Sequence, residues 1–398
     1  MRYVDTIIVG QGFAGTALAW QLEFAGRQSY LVIDREPPVT ASRIAAGLIT
    51  PITGQRLVKT EHYEERFREA EAFYRRVEDE LSEGPPTRRS RSAPPTTSPS
   101  GGDEKSGADN EASSNTNRTH LPPGGGGRSN EVRAGGGGSL RVFHRRPMLR
   151  LFQNEREQQI FEAKQHAEFA GLVEEHPHID PAEIAAPLGG FTMTTAGQLD
   201  AQAYLNRSRS WFAYRNSYEA AELDVETDLL ICDDGIRIPK LDLRANRVIF
   251  CQGFLNQPNL YFAEVPFQAA QGDILTLRIP GFHEHRVIHR GIWLAPAGDD
   301  LYRCGSTYSW EPFDGLPSAA ARAELERKLK EFLKLPYEVI DHRAAVRPII
   351  RESRPRLGLH PQHPQLGFFN GLGSKGALLA PHFAAMIVRH VCDGTSLD

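Results

Sequence analysis

The chain is poor in cysteine, has no long apolar run and carries no basic excess, and each shortage excludes something. Its four cysteines, Cys232, Cys251, Cys304 and Cys392, are scattered without a CxxC pair, so neither a disulfide framework nor a zinc site is indicated. They suit a reducing interior. No stretch approaches the roughly eighteen consecutive apolar residues that a spanning helix needs. The short run Ile7 to Val9 follows Asp5 and leads straight into glycines, which is not the shape of a secretory leader. A cytoplasmic location is expected. Lys and Arg number 46 against 50 Asp and Glu, a net charge of −4, which argues against nucleic acid as a partner. Among the histidines, His285, His289, His342 and His382 show no metal-ligand spacing; no metal is expected, and all four read as surface or satisfied groups. What remains is a chain of 398 residues, 40% hydrophobic, long enough for two domains.

Residues 83–139 stand apart from the rest. The sequence there (PPTRRSRSAPPTTSPSGGDEKSG, then GGGGRSNEVRAGGGGS) is rich in Pro, Ser, Gly, Thr and Asn and nearly free of large apolar residues. Such a segment cannot bury enough surface to offset its ordering entropy. It is expected to be a disordered, low-complexity insertion, with a partner-binding tail as the alternative. Before it, Tyr63, Phe67, Ala70, Tyr74, Val77 and Leu81 recur at helical spacing and predict an amphipathic helix. After it, a helix is expected behind Asn154 as cap, with Gly171 as stop. Strands are suggested at GGFTMTT, DLLICDD, NRVIFCQG, GDILTLRIPG, RVIHRGIWLAPAG and LYRCGSTY, and helices at AAARAELERKLKEFL and near HFAAMIVRHVC. Glycine-punctuated α/β units at both ends with a strand-rich middle suggest an α/β fold broken by a second, sheet-rich unit.

The first fifteen residues carry the sharpest motif. YVDTIIVGQGFAG is a short apolar strand followed by GxGxxG, with a helical pattern beyond it. Gly10 permits the tight turn, Gly12 lets a pyrophosphate approach the backbone, and Gly15 lets helix and strand pack closely, beside Phe13 and Ala14. The phosphates then meet a helix N-terminus. A second apolar strand ends at Asp34, next to Arg35, where a carboxylate can bond a ribose hydroxyl. A glycine cluster that only packs a helix is the alternative. Where a nicotinamide-binding half would continue with βαβ units, this chain has ASRIAAGL, whose Ser42 and Arg43 suit a diphosphate. Small Ala46 and Gly47 allow close approach to a large flat ring.

The motifs GQGFAG, ASRIAAGL, RVIFCQG, VRPIIRESRPRLG and GLGSKGALLAP occur in an order that resembles the D-amino-acid oxidase and glycine oxidase superfamily of FAD-dependent oxidoreductases. They cover nearly the whole chain outside the insertion. The resemblance implies a Rossmann-type FAD-binding domain of the glutathione-reductase kind and a mixed-sheet α+β substrate domain. The expected bounds are 1–82, 197–256 and 343–398 for the first and 140–196 and 257–342 for the second. Noncovalent FAD is implied, since no recognised loop position carries Cys or His. Gly253 would lie beside it, and the closing loop, Gly371, Gly373, Ser374, Lys375 and Gly376, would lie against the flavin ring, with its N–H groups and the following helix stabilising the reduced form.

Two cations are implied as substrate groups. Arg347, in AAVRP, stands where these oxidases grip a substrate carboxylate, and Lys375 resembles the loop lysine of sarcosine oxidases. A departure from glycine oxidases is Glu352, set among Arg351, Arg354 and Arg356. Tyr302, Tyr308 and Trp310 could cover the flavin face but read first as packing residues. The implied activity is oxidation of the CH–NH bond of a small amino acid or N-substituted glycine, a carboxylate-bearing amine, with oxygen or another acceptor taking the electrons. A 2-hydroxy-acid dehydrogenase, which would want a histidine base, and a non-catalytic flavin-binding protein are the alternatives.

Overall fold

A computed structural model describes residues 1–84, 141–255, 259–310, 313–351 and 354–397. The expected insertion, from Pro85 onward, and the displaced Glu352 lie outside the described residues.

Two eight-stranded sheets dominate. In the first, Tyr218–Ala220, Tyr30–Asp34, Arg2–Val9, Leu243–Phe250 and Leu366–Asn370 run parallel in that spatial order. Arg356–Leu359 pairs antiparallel at the far edge, and the hairpin Leu230–Cys232/Gly235–Ile238 attaches to the start of Leu243–Phe250. Strands covered on both faces read as continuous apolar runs rather than alternating ones. That is why IIV, LVI and VIF are wholly buried here. Ile8, Val32 and Ile249 face helices Phe13–Phe24 and Gly376–Asp393, while Ile7, Leu31, Val248 and Phe250 fill the opposite core.

The second sheet has the order Glu338–Arg347, Ala270–Arg278, Leu301–Gly305, Ile292–Pro296, Val287–Arg290, Met148–Leu151, Gly190–Met193, Val173–Glu175. The run RVIHRGIWLAPAG folds as two strands because Gly291, at φ +71°, turns the chain between them. Leu275, Leu277, Ile288, Leu294, Tyr302 and Cys304 on one face pack beneath helix Ala319–Leu329. The strand ending at Arg347 belongs to this sheet and runs across the boundary drawn at 342/343.

The helix predicted from Tyr63 spans Tyr63–Ser82 and buries the anticipated stripe. Asn154 caps its helix by accepting the Glu157 N–H at 3.0 Å, but that helix ends at Lys164, short of Gly171. The last helix starts at Gly376, six residues earlier than its apolar pattern suggested, and runs through Pro381. Proline leaves the carbonyl four residues back without its N–H partner. The Tyr74 hydroxyl donates to that carbonyl, on Ala377, at 2.7 Å.

Candidate active site

Parallel strands end on the same side, and ligands of open α/β sheets collect there. Val9, Asp34, Phe250 and Asn370 end together, and the turns after them open on a cavity of about 1330 Å³. That exceeds the roughly 300–1,000 Å³ usual for one small ligand, leaving room for a dinucleotide and a substrate. Gly10, Gly12, Phe13, Ala14, Asp34, Arg35, Ser42, Arg43, Ala46, Gly47, Gly253, Gly373, Ser374, Lys375, Gly376 and Arg347 all line it. Gly15 and Gly371 do not.

The first loop fits a diphosphate. Gly10 sits at φ +104°, and a Cβ there would lie 2.5 Å from the Cys251 carbonyl oxygen; at Gly15 it would lie 1.9 Å from the Gly10 carbonyl oxygen. Both contacts are with backbone that cannot yield, so Gly15 serves the wall from behind it. Gly12 caps its helix without a side-chain hydrogen bond, which leaves first-turn N–H groups facing the cavity. Ser42 Oγ accepts the Phe13 N–H at 3.1 Å, freeing its own O–H to donate. Asp34 accepts the Gln11 and Glu36 N–H groups, each at 2.7 Å, which fixes its carboxylate at the cavity edge. Arg35 pairs with Glu222 at 3.5 Å and Arg43 donates to Asn206 at 3.2 Å. Gly47, at φ +69°, admits no side chain because a Cβ would meet the Leu199 carbonyl oxygen at 1.9 Å.

The closing loop is more committed internally than its sequence implied. The Gly371 N–H donates to Asn370 Oδ1 at 2.8 Å and the Gly373 N–H to the Pro348 carbonyl at 3.3 Å, so neither is free for a ring. Gly371 makes the turn. Gly376 opens the last helix, whose positive end therefore faces the cavity. Lys375 Nζ donates to Thr60 Oγ1 at 3.1 Å. Burial and then the Arg66 charge hold its pKa down.

Arg347 lies across the second sheet. A Cβ on Gly272 would be 1.9 Å from its Nη2, so glycine is what lets the guanidinium rest on the strand. Its Nη2 donates to Ser306 Oγ at 2.6 Å, and both Nη atoms reach the Thr307 carbonyl at 3.3 and 3.4 Å. The Tyr308 ring centre is 4.4 Å from its Cζ. Among the described residues no carboxylate lies within 4 Å of it, and burial lowers its pKa. Behind it, buried Asp273 accepts the Ser318 N–H at 3.1 Å and meets His342 Nε2 at 2.8 Å and Thr307 Oγ1 at 3.3 Å.

One rung of this sheet crosses six strands, pairing Arg343, Ile274, Gly305, Trp293, His289 and Arg150 in that order. Opposed residues share a face, and Ile274, Trp293, His289 and Arg150 line the cavity. Gly305 makes room for the Trp293 indole as Gly272 does for Arg347: a Cβ would be 2.7 Å from its Cζ2. Arg150 is neutralised by Glu157 in a fully buried pair. Burial, then the Arg150 charge, lowers the His289 pKa to about 3, so this imidazole is uncharged.

Sequence reading missed His289. It was grouped with His342 and His382, which are indeed paired, to Asp273 and Glu69; only the strand register puts it on the cavity face. Gly272, Gly305 and Trp293 were missed for the same reason, and Gln153 because it lies in the turn after a strand whose partners are distant in sequence. Tyr302 packs in the core as expected, but Tyr308 and Trp310 are exposed, and Tyr308 lines the cavity.

Residues 131–390 match the family model of FAD-dependent oxidoreductases. Glycine oxidase from Geobacillus kaustophilus superposes with a TM-score of 0.72 at 16% identity, over 100% of this chain and 96% of that one. Glycine oxidase from Bacillus cereus gives 0.68 at 16% identity over 99% and 96%, and iminodiacetate oxidase from Chelativorans sp. BNC1 gives 0.67 at 16% identity over the same shares. At that identity the likeness is one of fold, and the family match supplies the cofactor. With the fit of the first loop to a dinucleotide diphosphate, the chain belongs to the D-amino-acid oxidase family of FAD-dependent oxidoreductases.

Proposed function

We propose that the enzyme oxidises the CH–NH bond of an amino acid or N-substituted glycine, with Arg347 as the carboxylate anchor. The reading rests on a guanidinium that is largely buried, has no carboxylate partner among the described residues, and shares one cavity with the dinucleotide loop. FAD, when bound, supplies the hydride acceptor. The first sheet would carry the cofactor domain, with Gly10, Gly12, Phe13, Ala14, Ser42 and Arg43 at the diphosphate, Asp34 and Arg35 at the ribose end, and Ala46, Gly47, Gly253 and the 373–376 loop around the ring. Gly15 and Gly371 would support from behind. The second sheet would roof the substrate.

The chain's own residues then bind, orient and exclude water. Arg347's fork holds a carboxylate bidentately, which fixes the neighbouring carbon relative to the ring. Lys375 adds positive charge at the closing loop. The carboxylates lining the cavity, Asp34, Glu222, Asp224 and Glu226, belong to or follow the first sheet's strands at the Asp34 end, away from Arg347. A deprotonated amine needs no strong base, whereas an alcohol does. His289, with its pKa near 3, is too weak to serve as one, which favours amines over 2-hydroxy acids. Its four free cysteines suit the reducing cytoplasm, a placement that cell fractionation tests. No helix among the described residues is long and apolar enough to cross a membrane.

Anaerobic mixing of the holoenzyme with a panel of amino acids, N-substituted glycines and 2-hydroxy acids tests the reading. Amine carboxylates should bleach the flavin, and Arg347→Ala should lower kcat/KM by about ten- to hundredfold with Arg347→Lys intermediate. Bleaching by hydroxy acids alone, or full activity in Arg347→Ala, would overturn it.

A further inference from the structure

Resting on that reading, we propose that Gln153, His289 and Trp293 form a specificity subsite for the far end of the substrate, which is an amino carboxylate with an extended, uncharged, hydrogen-bonding tail. The guanidinium of Arg347 lies over Gly272, and three strand-to-strand steps separate that strand from the one bearing His289. At about 4.8 Å per step, the two ends of this wall are roughly 14 Å apart. A glycine-sized substrate, with roughly 2.5 Å between amine nitrogen and carboxyl carbon, occupies only the Arg347 end.

The wall beyond it has a definite chemistry. Trp293's indole covers the middle, over Gly305, and Met148, Met193 and Ile52 line the surroundings. At the end, His289 Nδ1 is buried without a hydrogen-bond partner. Leaving such an atom unpaired is costly, and on the wall of a cavity it is open to a ligand's polar group. Gln153 also lines the cavity, and no partner for its side-chain amide is found among the described residues. Gly291 leaves room for that amide, since a Cβ there would lie 2.7 Å from Gln153 Oε1. Arg150, on the same rung, is spent on Glu157 and the Gly54 carbonyl. Because the imidazole is neutral, the end of the wall offers a donor and acceptors but no net charge, which matches an amide, hydroxyl or heteroaromatic group.

The test titrates holoenzyme with non-oxidisable carboxylates and follows the flavin absorbance. Acetate probes the anchor alone; glutaric acid monoamide carries an amide tail, and glutarate a charged one. Wild type should bind the monoamide about tenfold more tightly than acetate. His289→Leu and, independently, Gln153→Met should abolish that advantage while acetate affinity, flavin content and Tm stay as in wild type. His289→Asn should keep part of it. Equal binding of acetate and monoamide by wild type, an advantage that survives in both variants, or glutarate binding more tightly than the monoamide would overturn the subsite. If no carboxylate perturbs the flavin, the Arg347 anchor itself is refuted and the subsite falls with it; loss of the monoamide advantage alone leaves the anchor standing.

Discussion

Gly272→Ala isolates the seat of the proposed carboxylate anchor from the fold around it. The new methyl would stand 1.9 Å from Arg347 Nη2 and 2.4 Å from Cζ. Non-bonded heavy atoms settle near 3.5 Å, so the guanidinium has to retreat by about 1.6 Å. The obstructed atoms are the end of a flexible side chain, and Gly272 lies in an extended strand, so the sheet accommodates alanine. What moves is the fork, away from Ser306 Oγ at 2.6 Å and the Thr307 carbonyl. A displacement of that size in a positioning group costs about a hundredfold in kcat/KM, equivalent to about 2.7 kcal/mol. Steady-state kinetics on the best amine from the panel would read it, with flavin content and Tm as controls. Added to Arg347→Ala, the same substitution should change nothing further, because the group it displaces is gone. A Gly272→Ala enzyme within about threefold of wild type, or an undiminished further loss in the double variant, would refute the reasoning.

Tyr74→Phe should cost roughly 1–3 kcal/mol in urea denaturation, because it orphans the buried Ala377 carbonyl that Pro381 already leaves without an N–H. Lys375→Met should lower the flavin reduction potential measured without substrate if the lysine lies at the ring as proposed, since a nearby cation favours the reduced, anionic form. In flavin-free protein the same substitution should be stabilising near neutral pH: the lysine's folded pKa lies below its ordinary 10.5, so the unfolded chain holds the proton more tightly. The gain should shrink as pH rises through the folded value toward 10.5, and a pH-independent difference in Tm would contradict it. Acid precipitation should release the flavin as FAD into the supernatant; yellow colour retained in the pellet would show a covalent link.

The glycine-loop end of the cavity was legible because it depends on local chemistry. A tight turn, a helix start and an acid after the next strand lie within thirty-four residues, and each demands particular residue types at fixed spacing. The roof was not legible, because it depends on register. Whether His289 faces the cavity or the core is decided by its pairing with Trp293 across the Gly291 turn and with Arg150 on a strand far upstream. A one-residue slip would reverse it. Glycines such as Gly272 and Gly305 are equally silent in sequence, since the side chains they accommodate come from other strands. The early start of the last helix was hidden for a related reason: Pro381 signals a break, and its remedy, the Tyr74 hydroxyl, lies some three hundred residues upstream.

The two glycine loops also touch. A Cβ on Gly376 would come within 2.6 Å of the Phe13 ring, and the helices behind the two loops pack on one another within one core. The first strand and helix are therefore made well before Leu366–Asn370 and the last helix, which pack against them. Until then, the core that holds Ile8, Ala17 and Leu18 lacks one of its helices, and a chain stalled before residue 376 holds only one of the two loops. The cavity the two loops share is therefore complete only once both have been made.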